Sequence, residues 1–148
     1  MKTIFDKPTR DELIARMNAI NKDSKPEWGK MNAYQMVKHC TQWEQMIAGE
    51  IPCKRSFIGR IFGKMALKDF MKADKPIMRN APTAPELKVT ETNGDITAQK
   101  AKWVALLEKN AQSPAPYFMH PFFGKMTREQ IGCLAYRHID HHLRQFNA

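Results

Sequence analysis

Five histidines, His39, His120, His138, His141 and His142, are the residues of this 148-residue chain with the most chemistry to offer. Three fall in the run Tyr136-Arg137-His138-Ile139-Asp140-His141-His142-Leu143, where apolar spacing predicts a helix. At about 100° per residue, with Ile131 as origin, Leu134, Ala135, Ile139 and Phe146 spread an apolar face from about 300° round to about 80°. His138 and His142 lie at about 340° and about 20°, in the middle of that face, and His141 at about 280°, on its edge. Imidazoles on a buried face need partners, because an unpaired buried polar group is costly. Two readings stand: a pair of hydrogen-bonded core histidines, or two ligands of one metal ion. The second arises because one helical turn sets two ring nitrogens toward a single point.

A third ligand would come from another helix, and His39 is the candidate. Met36, Val37, Cys40, Trp43 and Ile47 make the apolar arc there, with His39 about 80° from its centre. Cys40 faces the core and reads as packing rather than as a fourth ligand. Around the histidines, Gln145 lies on the ligand face at about 320° and could orient a ligand or substrate. Trp43 could wall a pocket or simply fill core. Asp140, at about 180°, reads as a surface charge, and Glu44 as a solvated helix carboxylate in preference to a proton acceptor. His120 precedes Pro121 in a loop; it either lids the site or caps the approach to the last helix.

Three neutral histidines cancel none of a divalent ion's charge and leave at least one coordination position for water or a thiolate. Such an ion lowers the pKa of bound water toward about 7 and deprotonates a bound thiol. Imidazole suits zinc, nickel, iron or copper, so the residues name no single metal.

A histidine in a second helix, within Trp28-Gly29-Lys30-Met31 and Met36-Val37-Lys38-His39, precedes a His-x3-His in a last helix ending Leu143-Arg144-Gln145-Phe146. This pattern resembles the DinB/YfiT-like superfamily. The run His120-Pro121-Phe122-Phe123-Gly124-Lys125-Met126-Thr127 with His138-Ile139-Asp140-His141-His142 looks closer still to a branch of it that has no assigned activity. The resemblance covers nearly the whole chain. It implies a four-helix bundle with a three-histidine metal site, carried over here to His39, His138 and His142. It also implies a reaction class, because characterised relatives include metal-dependent thiol transferases and an isomerase that uses a low-molecular-weight thiol.

The elements that must position these residues are mostly helices. Thr9-Arg10-Asp11-Glu12 reads as a capping box opening a helix over 9–21, with Leu13, Ile14, Met17 and Ile20 on one face. Asn32 caps a helix over 32–48, which Gly49 and Pro52 end. A helix over 97–111 starts near Asp95, and Thr127 with Gln130 opens the last one over 127–146. A basic helical segment is expected near 57–73, although Gly59 and Gly63 each weaken it by about 1 kcal/mol relative to Ala. The stretches 22–30, 75–93 and 112–125 read as loops. Leu87-Lys88-Val89-Thr90 alternates but is short for a strand. The expected architecture is all-α, a single domain over 1–148 built as an up-and-down four-helix bundle with the extra basic segment and one long crossover loop.

Composition is ordinary for a globular chain, 43% hydrophobic and 26% charged. There is no run of 18 apolar residues, so neither a spanning segment nor a membrane partner is expected. The N-terminus has no signal-type apolar stretch, and Cys40, Cys53 and Cys133 are too few for a disulfide framework; both predict a cytoplasmic protein. The net charge of +9 is local. Between Lys54 and Arg79 stand eight basic residues against two acidic ones. Arg60, Lys64, Lys68 and Lys72 recur every fourth position and form one row on a helix. That row reads first as a solvated face and second as an anion-binding surface.

Phe57, Phe62 and Phe70 could stack on bases, but core packing explains them first. No recognition motif accompanies the patch, which argues against a nucleic-acid reader. Three functions follow: a metal-dependent S-transferase or hydrolase, a metal-bound scaffold without turnover, and an anion- or nucleic-acid-binding module built on 54–79. The expected partners are a small-molecule substrate, by the resemblance one that includes a low-molecular-weight thiol, and a second copy of the chain in a homodimer.

Overall fold

The computed structural model describes residues 1–72 and 77–148. The expected end of the basic helical segment at 73, and the first residues of the 75–93 loop, lie outside the described residues. In chain order the elements are α1 (Lys7–Ala19), α2 (Ala33–Ile47), α3 (Phe57–Lys72), a 3-10 turn (Pro85–Leu87), α4 (Ile96–Ala111), β1 (Tyr117–His120), β2 (Gly124–Thr127) and α5 (Arg128–Gln145). The protein is mostly helical, with one small antiparallel hairpin that pairs Tyr117 with Thr127 and His120 with Gly124.

Local chemistry sets most helix starts. Asn32 and Thr127 each accept from the backbone N–H three residues on, while Gln35 and Gln130 reach back to the cap N–H, so α2 and α5 both open on capping boxes. Asp95 accepts from the Ala98 N–H at 2.9 Å and opens α4. The start of α1 differs from the sequence expectation. Asp6, not Thr9, is its cap, and it accepts from both the backbone N–H and the hydroxyl of Thr9. The Asp6 carboxylate takes both donors of Thr9, its N–H and its hydroxyl, so the helix starts before Thr9 and Thr9 sits inside the first turn.

Helix α2 packs chiefly along α4, and α1 lies against α4 and α5. Leu13 and Met17 of α1, Met36 and Val37 of α2, Trp103 and Leu107 of α4, and Ile139 and Leu143 of α5 are all completely buried in one cluster. Each such side chain contributes about 1.5–3 kcal/mol relative to exposure.

Two regions depart from expectation. The stretch 112–125 is not all loop but carries the hairpin, whose strands of four residues each are too short to leave a periodic signal. Helix α3 explains both the hairpin's position and the two glycines. A Cβ on Gly59 or Gly63 would overlap the carbonyl oxygen of Phe122, in the hairpin turn. Glycine here lets helix and turn backbones meet directly. This narrow buried stripe, with Leu67, leaves Phe57 and Phe62 at 76% and 49% exposed. They are not the core residues expected; only Phe70 packs against the core.

Candidate metal centre

The third histidine comes from α2 and the other two from α5. The ring centroids of His39, His138 and His142 lie 4.7–5.4 Å apart. One ligand nitrogen from each lies within 4.8 Å of the others, and the Nε2 atoms of His39 and His138 are 3.3 Å apart. His39 and His142 are 6% and 8% exposed, and His138 is half-buried.

The tautomers of two rings follow from their partners. His39 Nδ1 lies 3.1 Å from the Leu87 carbonyl oxygen, which can only accept. Nδ1 therefore carries the proton, and Nε2 presents a lone pair. His142 Nδ1 lies 2.9 Å from Gln145 Oε1. The Gln145 amide is oriented by its own Nε2, which donates to the Trp28 carbonyl at 2.8 Å. His142 Nδ1 thus donates as well, leaving its Nε2 free. The loop before α2 is held to this side chain's residue a second time, since the Glu27 N–H donates to the Gln145 carbonyl at 2.7 Å.

His138 is held differently. Trp43 stacks on its ring, with centroids 4.6 Å apart and planes 19° from parallel, and its buried Nδ1 has no hydrogen-bond partner.

Burial governs the charge of the three rings. It pushes the His142 pKa down to about 3, helped by the neighbouring His39 and opposed by the Gln145 hydrogen bond. His39 is lowered by burial, which outweighs the opposing hydrogen bond to the Leu87 carbonyl. His138 is lowered well below its ordinary value by burial first, then by the other histidines. All three are neutral at pH 7, the protonation state that metal ligation requires.

These residues fit a divalent ion. Two nitrogens at 2.0–2.1 Å from one tetrahedral ion stand about 3.3 Å apart, which is the spacing of His39 and His138. The wider spacing in the group has to close by no more than about 1.5 Å. Among the described residues, no fourth histidine, cysteine or carboxylate joins the group.

The other singled-out residues take varied places. His141 is half-buried, edge-on to Trp28 and His142 at 5.7 and 5.1 Å, outside the ligand group. His120 Nδ1 accepts from the backbone N–H groups of Phe122 and Phe123, closing the hairpin turn rather than capping α5. Burial, with Arg55 nearby, takes its pKa down to about 4. Cys40 is buried 3.8 Å from the Met36 sulfur. Arg60, Lys64, Lys68 and Lys72 are exposed along α3.

Two carboxylates differ from expectation. Glu44 is not solvated but completely buried; its Oε2 accepts from Asn110 at 2.7 Å, and burial raises its pKa to about 7. Asp140 is not a free surface charge. It bridges Arg16 of α1 and Arg144 at 2.8 Å each, with its side chain 16% exposed. Sequence reading missed the two carbonyls, Leu87 and Trp28, that orient His39 and Gln145. Only the Trp28-Gly29 segment hints at them: Gly29 has a φ of +82°, and a Cβ there would come within 2.7 Å of Gln145 Nε2.

No helix among the described residues is long and apolar enough to cross a membrane. A search of curated proteins returned no match, and neither did a search of solved structures. Residues 5–148 match the model of the family described as "Protein of unknown function (DUF1569)", and the chain belongs to that family.

Proposed function

We propose that this chain is a DinB/YfiT-like metalloprotein in which His39, His138 and His142 hold one divalent ion, zinc, nickel or iron, at a catalytic centre. The observation that carries this reading is the pair of fixed tautomers. The Leu87 carbonyl and the Gln145 amide commit Nδ1 of His39 and His142 to donating, so both Nε2 lone pairs are left for an ion. Three protein ligands favour catalysis, because structural sites usually close the shell with four protein groups while catalytic ones keep a position open. When bound, a divalent ion supplies Lewis acidity toward water or a thiol.

The chain's own residues prepare the rest. Burial keeps the imidazoles uncharged. Leu87 and Gln145 aim two of the rings, and Trp43 covers one face of the third. Partners of this kind hold ring orientation and ligand basicity. A hydrolase or thiol-dependent S-transferase acting on a small molecule is the reaction class this arrangement supports. The helical fold with a second-helix histidine and a last-helix His-x3-His supports the DinB/YfiT-like assignment.

A second reading, a structural clip joining α2 to α5 without turnover, is favoured by the low exposure of His39 and His142. Titrating the cobalt(II)-loaded protein with a low-molecular-weight thiol separates the two. A new, saturable sulfur-to-cobalt charge-transfer band supports the catalytic centre. A visible spectrum unmoved by thiol or azide supports the clip. Cobalt binding that survives loss of all three histidines refutes both.

A further inference from the structure

The outward face of α3 is apolar where a helix on a folded domain is ordinarily polar. Phe57, Ile58, Ile61, Phe62 and Met65 are between 49% and 76% exposed, all within nine residues. On the helical wheel they fill an arc opposite the buried stripe of Gly59, Gly63 and Leu67. Arg60 and Lys64 border this arc, Lys68 and Lys72 continue their row toward the end of the helix, and Lys54 and Arg55 precede the helix. Asp69 is the one acidic residue of α3. The surface continues onto the hairpin, where exposed Tyr117 lies under Lys125 at 4.5 Å and shares a shallow depression with Lys64.

We propose that this face is a peripheral binding surface for anionic lipid bilayers. Exposed aliphatic and aromatic groups beside lysine and arginine suit the headgroup boundary. There the apolar side chains enter the acyl region, and the cations meet lipid phosphates and carboxylates. Tyr117 has the amphipathic ring that such boundaries favour.

Charge decides against a second copy of the chain, and the aliphatic side chains decide against nucleic acid. A two-fold contact through this face would set one basic row close to its copy, so a second chain is repelled where a bilayer is attracted. Single-stranded nucleic acid would use the phenylalanine rings for stacking, but it offers nothing to Ile58, Ile61 and Met65. The contact lies on the membrane surface and needs no spanning helix. It stands on α3 and the hairpin, independently of any metal at the histidines.

The test is co-sedimentation of the full chain with vesicles of phosphatidylcholine alone, and with about 30% phosphatidylserine added. Binding is expected only to the anionic vesicles and should weaken as salt rises. The double variant Ile61→Ser/Phe62→Ser should lose about tenfold or more in partitioning. Lys64→Ala/Lys68→Ala should lose about fivefold per charge removed. Both pairs are exposed, and unchanged circular dichroism and melting confirm that each variant folds. Four results overturn the proposal: no sedimentation of the wild type, equal binding to neutral vesicles, full binding by the folded variants, or tighter binding to single-stranded poly(U) than to anionic vesicles. A concentration-dependent dimer abolished by Ile61→Ser/Phe62→Ser also overturns it, because the face is then a self-contact.

Discussion

The Nε2 atoms of His39 and His138 face each other at 3.3 Å across the contact between α2 and α5, although 99 residues separate them in the chain. Each ring reached this position by a different route. His39 is hydrogen-bonded to the Leu87 carbonyl, whereas His138 lies under Trp43 with its other nitrogen buried and unpaired. Without an ion, the short contact is a hydrogen bond from a His138 Nε2–H to the His39 lone pair. With an ion, both nitrogens become ligands.

The first prediction separates the neighbouring histidines. His142→Ala should lose most bound metal, and His141→Ala should retain it, as read by metal analysis of protein dialysed against zinc. Equal loss in both would move His141 into the ligand set.

Gln145 is expected to act through His142. Gln145→Leu removes the acceptor that holds His142 Nδ1–H, and metal affinity should fall about 10- to 100-fold. A competition titration against a chelator reads this directly. An unchanged affinity would mean that packing alone orients the His142 ring.

Glu44 makes stability depend on pH. Its folded pKa of about 7 lies above the ordinary 4.5, so between these values the folded state binds more protons than the unfolded one. Stability from this group is therefore lost as pH rises from about 4.5 through about 7, a cost of about 3 kcal/mol. The histidines act oppositely in the metal-free protein. Their lowered pKa values make stability fall as pH drops below 6.5. Denaturant melts of Glu44→Gln and the parent isolate the carboxyl: the variant should be the more stable at pH 8, and the gap should close toward pH 4.

Gly63→Ala sets two effects against each other. Helix propensity favours alanine by about 1 kcal/mol. The added Cβ, however, overlaps the Phe122 carbonyl oxygen, and backbone cannot move aside as a side chain would. The clash should win, with a net loss of about 1–3 kcal/mol in urea melts. A stabilised variant would show that α3 rides more loosely on the hairpin.

Much of this architecture was legible from residues that act locally. Asn32, Asp95 and Thr127 cap helices by bonding within three residues of themselves, and the helical period alone puts His138 and His142 on one face. Thr9 was misread because Asp6, three residues earlier, is itself a cap and takes the Thr9 N–H and hydroxyl as its donors. The features that stayed hidden depend on partners distant in sequence. Glu44 is buried against α4, where Asn110, 66 residues on, donates to it, and Asp140 is paired with Arg16, 124 residues back. The acceptor of His39 is a main-chain carbonyl, which no residue type announces. The outward apolar arc of α3 was equally hidden, because a helical pattern shows an apolar face without saying whether anything covers it.

A zinc-loaded crystal with anomalous diffraction measured at the zinc edge tests the central claim most directly. The account predicts one peak 2.0–2.1 Å from a ring nitrogen of each of His39, His138 and His142, with the remaining position held by a group from outside the chain. Zinc bound elsewhere with no peak among these three rings would contradict it.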